Sequence, residues 1–289
     1  MSMVAVPFGA ISLSGQLEEV QAQIRRRPAD ADLRAQLFQL LVVQGDWARA
    51  AEQLSVCGAL SAQARPTVAL YASAIAAERE REAVLAGDGE PVMLSEPDAW
   101  MQALLSALHR DGQGPKDEVA EQRSRALQDA DARGGTVQGV MQGVGRGGVQ
   151  EEGVQGVGQD TPLPFQWMCD GDSRLGPVFE FLCAGRYVWL PFTALKCLRL
   201  LAPEGLCDLV WSRAEIELVG GRTLQGLVPA RYPPAPGARM IDQPDPVKLG
   251  RVTEWRPLYA DTYAGVGQKM WLTDAGEFAL LDLRSVEFA

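Results

Sequence analysis

The feature that most constrains the fold of this chain is a reiterated Val-Gln-Gly segment, which separates two stretches of different character. Residues 134–160 hold ten glycines, between Gly134 and Gly158. Glycine loses more backbone freedom on ordering than any other residue, so this density disfavours a stable helix or strand. At 289 residues the chain is long enough for two domains. We therefore predict a domain at residues 1–133, a flexible linker at 134–160 and a second domain at 161–289.

The first segment has the periodicity of amphipathic helices. Leu17, Val20 and Ile24 recur at the spacing of one helix face, and Pro28 ends that helix. Side chains suited to capping helix N-termini are Ser12, Ser14, Asp30, Asp32 and Asp46. Further helices are predicted to begin at Pro66, to run from Pro97 to His109 and to run from Lys116 to Arg133.

Residues 31–62 have the period of a tetratricopeptide-like unit. Gly45 would turn the chain, Trp47 supplies an aromatic residue, and Ala50 would let two helices approach closely. Only one such repeat is convincing, so an ordinary helical hairpin remains the alternative.

Beyond Thr161 the pattern changes to short strands separated by turn residues. Gly220-Gly221 and Asp274-Ala275-Gly276 are turn signals, whereas Leu175 to Ala184 is predicted to be a short helix. The predicted strands cover 165–168, 187–190, 196–200, 208–211, 215–219, 223–229, 248–255, 269–273 and 277–283. The expected fold class is α+β, with a tetratricopeptide-like helical domain followed by a mainly antiparallel β domain, either a small α+β unit or a barrel.

Charge and residue usage exclude several classes of function. The formal charge is −10, which disfavours nucleic acid or an anionic membrane as partner. His109 is the single histidine, so multi-histidine zinc sites are excluded within one chain, and no metal or cofactor is expected. Five cysteines without a CxxC pair indicate thiols in a reducing compartment. The N-terminus lacks the pattern of a secretory signal, and no apolar run approaches a bilayer span.

The segment DGDSRLGP at 170–177 is a candidate for binding a metal ion or a phosphate group. A calcium loop of the EF-hand type needs oxygen ligands at alternate positions over twelve residues. Here that series is interrupted, because Arg174 and Leu175 follow Ser173. We expect Asp172 or Ser173 to cap a helix and Arg174 to pair with a carboxylate. A hydrolase that uses Asp172, Ser173 or Cys169 is the alternative, while a solvated position at a helix end is expected for His109.

The tryptophans of the second segment allow two interpretations. Aromatic residues at strand ends usually fill a small β core, whereas an exposed platform would bind a peptide. The residues concerned are Trp189, Trp211, Trp255 and Trp271.

Several motifs in fixed order resemble one known family. They are FQWMCDGDSRLGP (165–177), GRYVWLPF (185–192), DLVW (208–211), ARYP (230–233), RVTEW (251–255), GQKMWLTDAGE (267–277) and LLDLR (280–284), with QLFQLLVVQGDWARAAEQL (36–54) in the first segment. In that order they are similar to the ImpE/TagJ family of type VI secretion accessory proteins, also labelled SciE-type virulence proteins. The resemblance covers nearly the whole chain except the glycine-rich segment.

The resemblance implies a cytoplasmic accessory factor without enzymatic activity or cofactor. It also implies a partner, the small subunit of the contractile sheath, held through an N-terminal helix of that subunit. Helical repeats bind such helices in an apolar groove with a polar rim. Because Leu37, Phe38 and Leu41 are expected in the core, our candidate partner-binding residues are Arg34, Gln44 and Arg49. A regulatory binder of a nucleotide is disfavoured, since no strand-loop-helix phosphate site is present.

Overall fold

The computed structural model describes residues 12–111, 113–142, 161–259 and 262–289. The helices are Leu13–Arg26 (α1), Ala31–Val43 (α2), Trp47–Leu60 (α3), Arg65–Leu85 (α4), Ala99–Arg110 (α5), Lys116–Gln128 (α6) and Asp245–Lys248 (α7). The strands are Val92–Met93 (β1), Gly135–Gln142 (β2), Leu163–Phe165 (β3), Met168–Asp170 (β4), Val178–Cys183 (β5), Arg186–Pro191 (β6), Leu195–Leu200 (β7), Trp211–Leu218 (β8), Thr223–Pro229 (β9), Arg231–Tyr232 (β10), Thr253–Tyr259 (β11), Thr262–Gln268 (β12), Met270–Thr273 (β13) and Gly276–Phe288 (β14).

The predicted α+β class is confirmed. Helices α1 to α6 and the short strand β1 come first, and the remaining strands follow. They form two sheets whose pairs are antiparallel, apart from the parallel pair β1–β6. The larger sheet runs in the order β1-β6-β5-β9-β8-β7-β14-β13-β4, with β2 and β3 attached beside β14. The smaller sheet has the order β10-β12-β11.

The helical hairpin α2–α3 forms where the sequence predicts it. Asp30 caps α2 by accepting from the backbone of Asp32 and Leu33, while Asp46 caps α3. Gly45 between them has φ +69°, a left-handed conformation that favours glycine. Ala50 is fully buried, as the close approach of the two helices requires.

The predicted helix from Leu175 to Ala184 is wrong, because this segment forms β5. Val178 and Phe179 are both fully buried, so β5 is covered on both faces and lacks the alternation of a half-exposed strand. Such a continuous apolar run cannot be distinguished from a buried helix by periodicity. Ala184 and Gly185, both at positive φ, join β5 to β6 in a hairpin.

The flexible linker predicted at 134–160 is wrong for Gly135–Gln142, which forms β2. This strand pairs with β14 on one side and with β3 on the other, so its backbone groups find partners. A Cβ at Gly135 would lie 2.1 Å from the carbonyl oxygen of Glu287, so the close approach requires glycine there. Residues 143–160 lie outside the described residues, and the three-part division of the chain stays a prediction.

Other boundaries differ locally. Residues 208–211 were expected in a strand, but Leu206–Leu209 is a 3₁₀ turn and β8 begins at Trp211. Of residues 248–255, only Thr253 onward is strand, since α7 precedes it. The last helix of the first segment ends at Gln128 rather than Arg133.

One hydrophobic core is shared by the helices and the larger sheet. Leu41 and Ile75 from the helices belong to the same cluster as Trp189 and Trp211 from the sheet. A second cluster lies within the sheet and includes Trp271. The interpretation of the tryptophans as core is therefore confirmed for these three; Trp255, with 40% of its surface exposed, is the exception.

Candidate functional site

A cleft of about 630 Å³ lies where the α2–α3 turn faces α4 and the proline-rich loop of the second segment. Gln44 and Trp47 contribute from the turn, and Glu82 contributes from α4. The opposite wall is formed by residues 233–241, and Arg174 reaches the cleft from the segment after β4. Both segments of the chain therefore build this site.

The turn is held in position by a buried arginine from the second segment. Arg231 donates from Nη1 to the carbonyl oxygen of Val43 at 2.6 Å and from Nη2 to that of Val42 at 3.0 Å. Val42 and Val43 end α2, where a cation is favoured; the Val42 carbonyl also accepts from the backbone N–H of Gly45 at 3.0 Å. Burial lowers the pKa of Arg231 to about 10.

Two of the residues that line the cleft carry acceptor groups, namely Glu82 of α4 and Gln44 of the α2–α3 turn. Glu82 accepts a hydrogen bond from Trp47 Nε1 at 2.8 Å through Oε1. Burial raises the pKa of Glu82, and nearby Glu78 adds to that effect. Gln44 is only 3% exposed, and its Oε1 is buried without a hydrogen-bond partner among the described residues. Buried polar atoms are nearly always paired, so Gln44 is unusual.

Behind the cleft, buried ion pairs join α4 to the larger sheet. Arg81 contacts Glu78 at 2.7 Å and Glu180 at 2.7 Å. Lys269 contacts Asp170 at 2.6 Å and also pairs with Glu180. All five side chains are at most 5% exposed.

Hydrogen bonds from aromatic residues complete this network. Tyr187 donates to Glu180 at 2.6 Å, Trp211 donates to Glu78 at 2.9 Å, and Tyr232 donates to Asp170 at 2.7 Å. Together with the ion pairs, these contacts compensate carboxylates that burial alone would destabilise.

The pKa values of the two buried carboxylates near Lys269 are shifted in opposite directions. Burial raises the pKa of Asp170 to about 6, although Lys269 acts against it. Burial would also raise the pKa of Glu180, but Arg81 and Lys269 outweigh it and hold that pKa well below its usual range. Opposed pKa values can mark an acid–base pair, but here both groups are sealed in a structural network.

Comparisons with known proteins agree over nearly the whole chain. Residues 163–287 match the family model described as ImpE protein. The chain is 40% identical to the type VI secretion system accessory component TagJ of Pseudomonas aeruginosa, covering 96% of this chain and 87% of that protein. The chain belongs to the ImpE family.

A crystal structure supports the fold of this ImpE-family chain. It is that of a Vibrio parahaemolyticus protein, which superposes with a TM-score of 0.78 over 96% of this chain and 94% of the other, at 24% identity. The match to the ImpE model includes Arg174, Arg231 and the acidic and basic residues of the network that lie on the sheet.

The three residues predicted for partner binding do not lie together. Gln44 lines the cleft. Arg49 is exposed and pairs with Asp46 at 3.3 Å, beside the cleft. Arg34 is ten positions before Gln44, about 15 Å along α2 at 1.5 Å per residue, and it donates to Gln53 at 2.9 Å. Of the three, only Gln44 is among the residues that line the cleft.

The DGDSRLGP segment has a structural arrangement that differs in part from our expectation. No helix follows it, so Asp172 and Ser173 do not act as helix caps. Asp172 is fully buried, pairs with Arg174 at 2.6 Å and accepts from the backbone of Gly265 at 2.9 Å. Ser173 Oγ accepts from the backbone of Tyr263 at 3.1 Å, which fixes the segment to β12. The expected pairing of Arg174 with a carboxylate is confirmed.

The hydrolase interpretation gains no support from this geometry. Both oxygens of Asp172 are occupied by Arg174 and Gly265. Burial raises the pKa of the Cys169 thiol to about 12, so little nucleophilic thiolate exists near neutral pH. His109 lies in the last turn of α5, as expected, but it is half-buried rather than solvated, with Nε2 3.0 Å from the carbonyl oxygen of Gly89.

Within the described ranges, no group of three or more His, Cys, Asp or Glu side chains is arranged to hold a metal ion. None of the helices in the described part of the chain has both the length and the apolar composition to cross a bilayer.

Glu82, Arg231 and the ion-pair network were not predicted from the sequence. A signal was present on α4, because Glu78 and Arg81 fall on the same face as Ile75 and Leu85. Charged residues on the apolar face of a helix indicate buried pairing. No comparable local signal marked Arg231, which follows a strand and precedes prolines.

Proposed function

We propose that this chain is a non-catalytic adaptor of a bacterial type VI secretion system, located in the cytoplasm. Its partner in this proposal is the small subunit of the contractile sheath, which it binds through an amphipathic N-terminal helix of that subunit. The observation that carries the proposal is the 40% identity to TagJ, a type VI accessory component, over 96% of the chain.

The cleft supports an interaction role over a catalytic one. Its polar groups are hydrogen-bonding side chains placed around apolar surface from Trp47, Leu85 and the prolines of residues 233–236. This composition is typical of a site that recognises a polypeptide by shape and hydrogen bonding. We place the partner contact on the α2–α3 hairpin, at Gln44 first, with Arg49 and Arg34 as further candidates.

Co-purification tests the proposal directly. The full chain is mixed with the sheath small subunit of the same organism, either intact or lacking its N-terminal helix. We expect a complex with the intact subunit and none with the truncated one, because the helix supplies the contact. Equal recovery of both forms would refute the helix contact, and no complex with the intact subunit would refute the proposed partner.

A further inference from the structure

Strand β11 forms a free edge of the smaller sheet. It lies last in the order β10-β12-β11, and β12 is the only strand paired with it in the described part of the chain. Glu254, Trp255 and Pro257 of this strand are exposed. The backbone groups along such an edge can pair with another chain, which is why most proteins cover or interrupt their sheet edges.

The register with β12 determines which backbone groups of β11 are free. Gln268 donates its backbone N–H to the carbonyl oxygen of Val252 at 2.9 Å, just before the strand begins. Hydrogen-bonded and non-hydrogen-bonded pairs alternate along an antiparallel ladder. Counting from Val252, the residues whose backbone groups bond to β12 are therefore Glu254 and Arg256.

Thr253, Trp255 and Pro257 turn their backbone groups outward instead. Within the described ranges, no backbone hydrogen bond links these groups to another element. Proline has no N–H, and a sheet tolerates it where that N–H would face solvent. The position of Pro257 agrees with this assignment, so the free edge offers the N–H groups of Thr253 and Trp255 together with the carbonyl groups of all three residues.

The charged side chains of β11 make the strand complementary to itself. Glu254 and Arg256 lie two positions apart, on the same face of the strand. Neither belongs to an ion pair among the described residues. When two copies of β11 are laid antiparallel about Trp255, Glu254 of each copy lies directly opposite Arg256 of the other. Opposite charges in such positions stabilise a strand pair.

The registers on either side of this one are unfavourable. A shift of one position sets outward backbone groups against inward ones. A shift of two positions sets Glu254 against its own copy in one direction and Arg256 against its own copy in the other, and like charges so placed are destabilising. In the central register the two Trp255 residues exchange backbone hydrogen bonds. Thr253 of each copy then donates to the carbonyl oxygen of Pro257 in the other.

Exposed aromatic surface adjoins the same edge. Trp255 is 40% exposed, and Tyr263 of β12, which lies opposite Pro257 on the same face, is 45% exposed. Pairing of two copies brings the two Trp255 side chains together and removes apolar surface from water. Tryptophan and tyrosine are enriched among the residues that dominate the free energy of protein association.

We infer that two copies of this chain associate through their β11 strands, about a two-fold axis at Trp255, so that their smaller sheets form one continuous sheet. This inference goes beyond the proposed function and does not depend on it. None of the described residues that line the cleft belongs to β11, so the dimer carries two open clefts.

Sedimentation velocity of the full chain over the micromolar concentration range tests the association itself. The contact consists of one short strand pair and its aromatic neighbours, so we expect the reversible monomer–dimer equilibrium of a small interface. A monomer at every concentration would overturn the inference.

Charge reversal tests the register. Glu254→Lys and Arg256→Glu each place like charges at both opposed positions of the dimer, so each variant alone should raise the dimer dissociation constant at least about tenfold. An equimolar mixture of the two variants should recover the wild-type value, because every opposed position then pairs a cation with an anion. Wild-type dimerisation of the single variants would show association through another surface, and a mixture that stays monomeric would contradict the register; either result overturns the inference.

Glu277→Lys is the matched control for the change in net charge. It makes the same exchange as Glu254→Lys at an exposed residue of β14, outside the proposed interface, and should leave dimerisation unchanged. Loss of the dimer in this control as well would mean that the effect comes from net charge, and the assignment to β11 would fail.

Hydrogen exchange of the wild-type chain gives a test that does not depend on the folding of a variant. The backbone amides of Thr253 and Trp255 face outward, so they should exchange readily at low protein concentration and become protected as the dimer forms. If the chain dimerises while both amides exchange at an unchanged rate, β11 is not the contact and the inference is refuted.

Discussion

Lys269 is the residue on which the buried charges of the sheet depend most. Its ammonium group pairs with Asp170 and Glu180 and lies 4.7 Å from the centre of the Tyr232 ring. The side chain is 1% exposed, so water cannot take over if it is removed. Two carboxylates near a low-dielectric interior would then lose their shared counter-ion.

We predict that Lys269→Met lowers the free energy of unfolding by about 3–5 kcal/mol, because it leaves uncompensated buried charge. Urea denaturation followed by tryptophan fluorescence measures this. Lys196→Met is the matched control, since Lys196 pairs with Glu217 at an exposed site, and its stability should hardly change. Similar midpoints for both variants would show that the buried network is not stabilising.

At the scale of elements, β2 is a strand that the sequence pattern does not predict. It lies between β14 and β3, and its glycines admit the neighbouring backbones. At Gly139, an added Cβ would lie 2.9 Å from the carbonyl oxygen of Asp282. A composition typical of flexible linkers is therefore compatible with a strand where both edges find partners.

Gly135→Ala is expected to destabilise the protein by about 1–3 kcal/mol, as overpacking does, because its Cβ would overlap the backbone of Glu287. The thermal midpoint and protection of the amides of β14 from hydrogen exchange measure the effect. Gly220→Ala is the control, since nothing lies within 4 Å of the added Cβ. An unchanged midpoint for Gly135→Ala would mean that residue 135 is outside the sheet.

Local patterns were sufficient for the helices and insufficient for the contacts between segments. Caps and apolar spacing located α1 to α3, with Asp30 and Asp46 in their expected roles. By contrast, β5 is buried on both faces and lost its diagnostic alternation. Arg81 and Glu180 are 99 positions apart, so no local pattern could pair them. For the site, Gln44 and Arg174 were both singled out from the sequence and both line the cleft, whereas Glu82 on the opposite helix was not.

At the scale of the whole molecule, the two segments share structure rather than only a connection. Strand β1, from the helical segment, pairs with β6 of the sheet. Arg231 binds the end of α2, and Trp211 lies 5.5 Å from Trp47 between ring centres. The helices therefore complete part of their core only against the sheet. This arrangement bears on the predicted division into domains 1–133 and 161–289.

We predict that residues 1–133 expressed alone will not fold cooperatively, because α2 and α4 would expose apolar surface that the sheet covers in the full chain. Circular dichroism during thermal unfolding should show a broad, shallow transition for this fragment and a single sharp one for the full chain. Co-expressed fragments 1–142 and 161–289 form the control, since together they keep β2 and the pairs across the segments. These two should co-purify and unfold together, whereas a sharp transition of residues 1–133 alone would establish an independent helical domain.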